Sequence, residues 1–156
     1  QPGAETEMYG LYFVDAGQHI ESRLFVDHSV PNCKSRVTYK GALQGKGAHS
    51  VWVGDVLIGK DAEGTDTYEL NRNLLLEVGP LEIETGRIEG AGHASTTGQL
   101  DDEHLWYLQA RGIPEAEARR LVVRGFLNEV IQQIRVPELE EQLTDALEEE
   151  LALSNN

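Results

Sequence analysis

The chain contains a single cysteine, Cys33, among its 156 residues. One thiol cannot form an internal disulfide, which fits a reducing compartment, and we expect a cytoplasmic protein. It also excludes a cluster site made of four thiolates from this chain alone. Any metal chemistry would need other donor types or donors from another chain.

Basic residues are scarce: 13 Lys and Arg stand against 27 Asp and Glu, for a net charge of −14. Such a surface repels the phosphate backbone, so the sequence predicts no nucleic-acid partner. The main basic cluster, Arg119, Arg120 and Arg124, is best interpreted as a solvated or partner-facing stripe of a helix. Long apolar runs are also missing, since none approaches the roughly 20 residues of a membrane span. We therefore expect no membrane partner.

The first residues, Gln1-Pro2-Gly3, resemble neither a signal peptide nor an initiator methionine. This start favours a piece cut from a longer protein. A fragment of this kind could self-associate through exposed sheet edges, so a homodimer is possible for the isolated fragment.

Proline is nearly absent from the β-like runs that occupy residues 1–100, as expected for strands that keep their ladder hydrogen bonds. Short strands with frequent corners suggest a barrel, a sandwich or a β-solenoid. The asparagines Asn71 and Asn73 beside Leu74, and the irregular spacing of the runs, favour the solenoid. The runs are Tyr9–Val14, Ser22–Val26, Arg36–Tyr39, His49–Ile58, Asp66–Leu76 and Leu81–Ile88.

After residue 100 the pattern becomes helical. Asp101 or Asp102 can cap a short helix that carries Leu105, Trp106 and Leu108 and ends at Gly112. Pro114 and Pro137 suit the starts of two longer amphipathic helices. Their apolar faces either pack against each other in a helical hairpin or dock a partner, and the hairpin is the favoured interpretation.

His93 is the histidine with the most unusual neighbours, because it lies within the small-residue run from Gly90 to Gly98. Small neighbours allow close approach of a ligand, and neutral imidazole commonly binds iron, zinc or copper. Residue chemistry alone also allows a turn residue with a satisfied hydrogen bond. Near it in sequence, only Glu89 could serve as a second ligand. His19, His49 and His104 carry no supporting pattern.

Taken together and in order, several segments resemble the SufB/SufD family of iron–sulfur cluster assembly subunits. The family's fold is a right-handed parallel β-helix followed by a C-terminal helical domain. The resemblance therefore implies a mainly β chain with C-terminal α structure, divided into the end of a β-helix at residues 1–100 and a small helical domain at 101–156. The matching segments are 27–36, Tyr39–Gly41, Ser50–Gly54, Asn71–Leu76, Leu81–Ile83, the run around His93, and Leu105–Ile113.

Within the family, the neighbours of His93 favour the SufD branch. SufB-type chains resemble Cys-x-x-His or Glu-His-Glu at this position, whereas here Gly92 and Ala94 flank the histidine. Some SufD chains have a cysteine where this chain has Ala91. The link Glu77–Pro80 is also shorter than in relatives, so either the loop is trimmed or the chain lacks a segment there.

The resemblance implies a scaffold without enzymatic activity of its own, a subunit of the SufBCD complex. It would pair with SufB and bind the ATPase SufC through residues 101–156. His93 would be an iron or cluster ligand shared with SufB, so a nascent iron–sulfur cluster would form at that junction while the isolated chain holds no cofactor. The implied SufC-facing residues are Arg111, Gly112, Ile113, Glu115, Arg119 and Arg120.

Two alternatives remain open. One is a SufB-like subunit that assembles the cluster itself, against which the missing cysteine and glutamates beside His93 count. The other is a β-helix enzyme acting on polysaccharide. Such an enzyme needs clustered charged residues on one face, and we expect Asp55, Asp61 and Asp66 only in turns.

Overall fold

The computed structural model describes the backbone of residues 1–76 and 92–153 and the side chains of residues 1–76 and 96–152. The predicted strand Leu81–Ile88, the short link Glu77–Pro80 and Ala91 lie outside the described residues. The described part contains six strands followed by three helices: β1 Glu5–Val14, β2 His19–His28, β3 Lys34–Leu43, β4 His49–Ile58, β5 Asp66–Leu75, β6 Gly92–Gln99, α1 Asp102–Gln109, α2 Glu115–Ile131 and α3 Pro137–Leu153.

Strands β1 to β5 alternate between two sheets along the chain, β6 joins the sheet that contains β5, and every described pairing is parallel. β1, β3, β5 and β6 form a four-stranded sheet in that order, while β2 and β4 form a second sheet. The pairing shows no slip within a ladder: Glu5 faces Lys34, and the register continues unbroken to Val14 opposite Leu43. The prediction of a mainly β chain with C-terminal helices is confirmed.

The two sheets pack face to face around apolar side chains. Val26 of β2, Val37 of β3 and both Trp52 and Val56 of β4 form one buried cluster. Alternate residues of each strand contribute to this layer, because successive side chains point to opposite faces of a strand. Branched side chains such as Val37, which is fully buried, suit this pleated surface.

Aromatic rings cover glycines of neighbouring strands inside the sheet. Gly10 lies opposite Tyr39, and Tyr12 lies opposite Gly41, in the ladder of β1 and β3. A methyl group at either glycine would collide with the facing ring. The buried Tyr12 hydroxyl lies within hydrogen-bonding distance of the Asn73 and Asn71 side-chain oxygens, at 3.2 Å from the latter. Burial raises the pKa of this phenol.

The helices pack on the opposite face of the four-stranded sheet. Ala42 and Leu74 from that face share one buried cluster with Leu127 of α2 and Leu147 of α3. Mutual packing of the helices therefore accounts for only part of their apolar surface, since α2 also packs on the sheet.

Helix boundaries follow local signals in the sequence. The side chain of Asp101 accepts a hydrogen bond from the backbone N–H of Glu103 and caps α1. Gly112, with φ +83°, turns the chain after this helix. Pro114 is the residue immediately before α2, and Pro137 is the first residue of α3.

Candidate functional site

His93 lies in a strand and not in a loop. Its backbone belongs to β6, where His93 is the register partner of Glu69 in β5. The small-residue run allows a turn as well as a ligand site, because Gly, Ser and Thr are common in turns. Pairing with β5 supplies the backbone hydrogen bonds that local sequence could not reveal.

Glu69 is a buried carboxylate without a described hydrogen-bond partner. Its side chain is fully buried, and neither carboxylate oxygen has a partner among the groups that the structure describes. Its Oε2 lies against Gly54 of the opposite sheet, a glycine that the Trp52 ring also covers. Burial raises the pKa of this carboxyl group, and the nearby Asp55 carboxylate raises it further. Sequence reasoning missed Glu69, because the same strand face carries Thr67, Asn71 and Asn73 and no apolar alternation marks the position as buried.

We expect protonation of Glu69 to stabilise the fold. Because its pKa is higher in the folded than in the unfolded chain, ionisation opposes folding, and the penalty disappears as the pH falls through the folded pKa. Urea unfolding between pH 8 and pH 5 should show Glu69→Gln more stable than the parent at the alkaline end. That advantage should shrink toward acidic pH. A stability difference independent of pH would contradict this assignment.

His28 and Cys33 are buried groups with nearby partners. The His28 ring nitrogen Nε2 lies 2.9 Å from the Ser35 hydroxyl, and this hydroxyl lies 2.6 Å from that of Thr67. The Cys33 thiol is 3.6 Å from the carbonyl oxygen of Gln1. These contacts tie the strand ends together.

The described part contains no metal centre with three ready-placed protein ligands. Among the side chains that the structure describes, no three His, Cys, Asp or Glu residues form a group that could hold a metal ion. Asp55, expected in a turn, lies exposed within β4, whereas Glu69 is buried. The two carboxylates therefore do not form an exposed acid pair.

The residues expected to face a partner lie where α1 joins α2. Arg111 and Gly112 are exposed and Ile113 is half-buried. The Arg111 guanidinium stacks on the Tyr107 ring at 3.5 Å from its centre. This junction is accessible, as a docking surface requires.

The two arginines of α2 are engaged within the chain. Arg119 binds Glu115 through Nη2 at 2.9 Å, and its Nη1 donates to the carbonyl oxygen of Leu76 at 3.2 Å. Arg120 binds Glu148 of α3 at 2.7 Å. These arginines stabilise the placement of α2, so reversing their charge would disturb the fold as well as any partner contact.

An apolar groove and two exposed aromatic residues were not foreseen as a surface. Trp106 is 71% exposed and Tyr107 is 52% exposed, whereas Leu105 of the same helix is buried. Beside these aromatics lies a groove of about 420 Å³, whose lining includes Leu74, Tyr107, Leu108, Leu121, Val122 and Phe126.

Comparison with known protein families shows which family the chain belongs to. The family described as "SUF system FeS cluster assembly, SufBD core domain" matches residues 1–126. The chain belongs to the SufBD family. The match covers all six described strands of the chain, α1 and most of α2, so the SufBD resemblance drawn from the ordered segments is confirmed.

Named SufBD relatives come from several bacteria. An iron–sulfur cluster assembly SufBD family protein of Mycobacterium tuberculosis is 60% identical over 99% of the chain and 42% of its own length. Its counterpart in Mycobacterium leprae is 56% identical over 99% of the chain and 43% of its own length. The protein named SufD of Escherichia coli is 29% identical over 79% of the chain and 30% of its own length. The chain thus spans less than half the length of these relatives.

The SufBD comparison also bears on the length of the chain. The alignment with the Mycobacterium tuberculosis relative runs over 167 positions, more than the 156 residues present here. That relative therefore carries residues that have no counterpart in this chain. As for membranes, no helix within the described ranges is long and apolar enough to cross one.

Proposed function

We propose that the chain is a SufD-type scaffold part of an iron–sulfur cluster assembly complex in the cytoplasm. In this role it pairs with a SufB-type subunit through its β region, residues 1–100. It binds a SufC-type ATPase through its helical region, residues 101–156, and performs no catalysis itself. The observation that carries the proposal is the exposed pair Trp106 and Tyr107 beside an apolar groove.

The SufD assignment is supported by the names of relatives and by the residues beside His93. Relatives named SufD occur in Escherichia coli and Bacillus subtilis, the latter 43% identical over 37% of the chain. Gly92 and Ala94 replace the acidic neighbours expected of a SufB-type chain. Both features support a scaffold over a cluster-assembling subunit.

We further propose that the β region is the end of a right-handed parallel β-helix. Strands that alternate between two parallel sheets are what successive coils of such a helix produce. The unbroken register between β1 and β3 and between β3 and β5 supports this, because each coil stacks on the one before. The last coil would offer its strand edge to a second β-helix subunit.

The helical surface fits a protein partner of the ATPase type. Tryptophan and tyrosine side chains bury a large area at low entropic cost and dominate many interfaces. Here they stand beside the exposed Arg111, a residue type that is also enriched at such sites. The groove is wide enough to accept apolar side chains of the partner.

In this proposal His93 binds the nascent cluster, which is cargo and not a resident cofactor. An imidazole is a suitable donor for iron. Its backbone partner Glu69 is an acidic residue in the neighbouring strand. Because the chain has one cysteine, located in another part of the fold, further ligands would come from the SufB-type subunit.

The partner surface is tested by coexpressing the chain with SufB-type and SufC-type subunits of the same organism. Trp106→Ala should weaken SufC binding about tenfold, because truncating a central aromatic anchor costs 1 kcal/mol or more. Phe25→Ala is the matched control, since Phe25 is 66% exposed on the two-stranded sheet. Surface plasmon resonance measures both.

Equal loss of affinity in the two variants would contradict the placement of the SufC surface. Unchanged affinity in the double variant Trp106→Ala, Tyr107→Ala would do the same. A separate arm measures iron and sulfide bound to the purified complex. His93→Ala should lower both while SufC binding stays at the parent level, and full loading would remove His93 from the ligand set.

A further inference from the structure

Two histidines lie side by side at the start of the two-stranded sheet. His19 opens β2 and His49 opens β4, and they are register partners. Their rings lie 4.6 Å apart between centres, and the two Nδ1 atoms are 2.8 Å apart. His19 is exposed and His49 is half-buried. The pair is therefore open to solvent on one side.

The turns that precede the histidines are built alike. Gly17 and Gly47 each lie two residues before a histidine, and both have a left-handed backbone, with φ +72° and +80°. The backbone N–H of Gly17 donates to the carbonyl oxygen of Lys46 at 3.2 Å, and that of His49 donates to Gln18 at 3.0 Å. These bonds hold the two turns one above the other, and the stacked turns place the two histidines side by side.

The short nitrogen separation has a defined chemical meaning. Two neutral imidazoles can approach so closely only when one Nδ1 carries the hydrogen and the other presents its lone pair. A single proton then lies between the two Nδ1 atoms. A cation that replaces this proton would meet two donors at once.

We propose that His19 and His49 form a binding site for a divalent transition-metal ion of the zinc, nickel or copper class. Zinc–nitrogen bonds are about 2.0–2.1 Å long, and a tetrahedral angle then places two nitrogens about 3.3 Å apart. The rings need to separate by about 0.5 Å from their present position to reach that geometry. The exposed His19 ring can make this adjustment by small side-chain rotations.

The surroundings favour a cation that exchanges with solvent. The net charge of −14 raises the local concentration of cations. Two protein ligands leave the other coordination positions to water or to a ligand from another molecule. Structural zinc sites close all four positions with protein groups, whereas open positions allow exchange. The site therefore suits transient binding.

Titration of the tag-free protein with Zn²⁺ tests the site by isothermal calorimetry at pH 7.5. The His93→Ala background removes the histidine that the proposed function assigns to the cluster, so the two proposals fail independently. We expect one Zn²⁺ per chain. His19→Ala and His49→Ala should each weaken this binding about 100-fold, because the second imidazole acts as a preplaced intramolecular ligand.

His104→Ala is the control, since His104 is an exposed histidine whose Nδ1 lies 3.5 Å from an Asp101 carboxylate oxygen. It should leave the titration unchanged. Circular dichroism of each variant verifies that the fold is kept. Zinc binding that survives in the double variant His19→Ala, His49→Ala would overturn the proposal, as would an equal loss in His104→Ala.

Discussion

Leu127→Ala should lower the free energy of unfolding by about 3 kcal/mol. Large-to-small changes of fully buried leucines cost about 2–5 kcal/mol, from lost apolar transfer and the cavity left behind. Leu127 is fully buried and belongs to the cluster that joins the sheet to the helices. Removing its side chain therefore weakens the attachment of α2 to the sheet and to α3 together.

Urea unfolding followed by circular dichroism measures this effect of Leu127→Ala. Leu139→Ala is the matched control, since Leu139 is a leucine of α3 with 47% exposure. It should change stability by less than about 1 kcal/mol. Comparable losses in the two variants would show that the cluster around Leu127 does not hold the helices on the sheet.

Gly41→Ala should cost about 2 kcal/mol, because overpacking a filled core typically costs 1–3 kcal/mol. A Cβ atom at Gly41 would collide with the ring of Tyr12 and would lie 2.7 Å from the Asn73 side-chain oxygen. The ring cannot move without giving up its hydrogen bonds to Asn71 and Asn73. The cost of the steric collision and the cost of the lost hydrogen bonds therefore add.

Gly98→Ala separates this collision from the general effect of replacing a strand glycine. Gly98 lies in β6 of the same sheet, and a Cβ there meets no atom within 4 Å. Alanine should be neutral or stabilising by about 0.5 kcal/mol, because glycine loses more backbone freedom on folding. The urea midpoints of the two variants distinguish the collision with Tyr12 from the general effect of replacing a strand glycine. Equal midpoints would place the cost of Gly41→Ala in the backbone and not in Tyr12.

The helical half was predictable because its signals are local. Asp101 caps α1, Gly112 follows it, and Pro137 opens α3, as the sequence indicated. The exposure of Trp106 was also within reach. Leu105 and Leu108 are three residues apart and share a helix face, so the residue next to Leu105 points away from the core.

The strand ends and the sites depend on contacts that are distant in sequence. β2 was predicted as Ser22–Val26 but extends from His19 to His28, because β4 supplies partners along its whole length. The close approach of His19 and His49 depends on the same pairing, which a single sequence does not display. The cluster-binding role of His93 and the partner-binding role of the residues from Arg111 to Arg120 stay predictions. The domain boundary near residue 100 also stays a prediction.

The unbroken ladders have a consequence for how such chains can change length during evolution. In the β1–β3, β2–β4 and β3–β5 ladders, register partners are 29, 30 and 32 residues apart, as with Glu5 and Lys34, His19 and His49, and Ser35 and Thr67. These intervals differ while the register stays fixed, so the turns absorb the difference. An insertion within a strand would instead move every following side chain to the opposite face. Insertions and deletions should therefore accumulate in the turns, and the strands should keep a constant length.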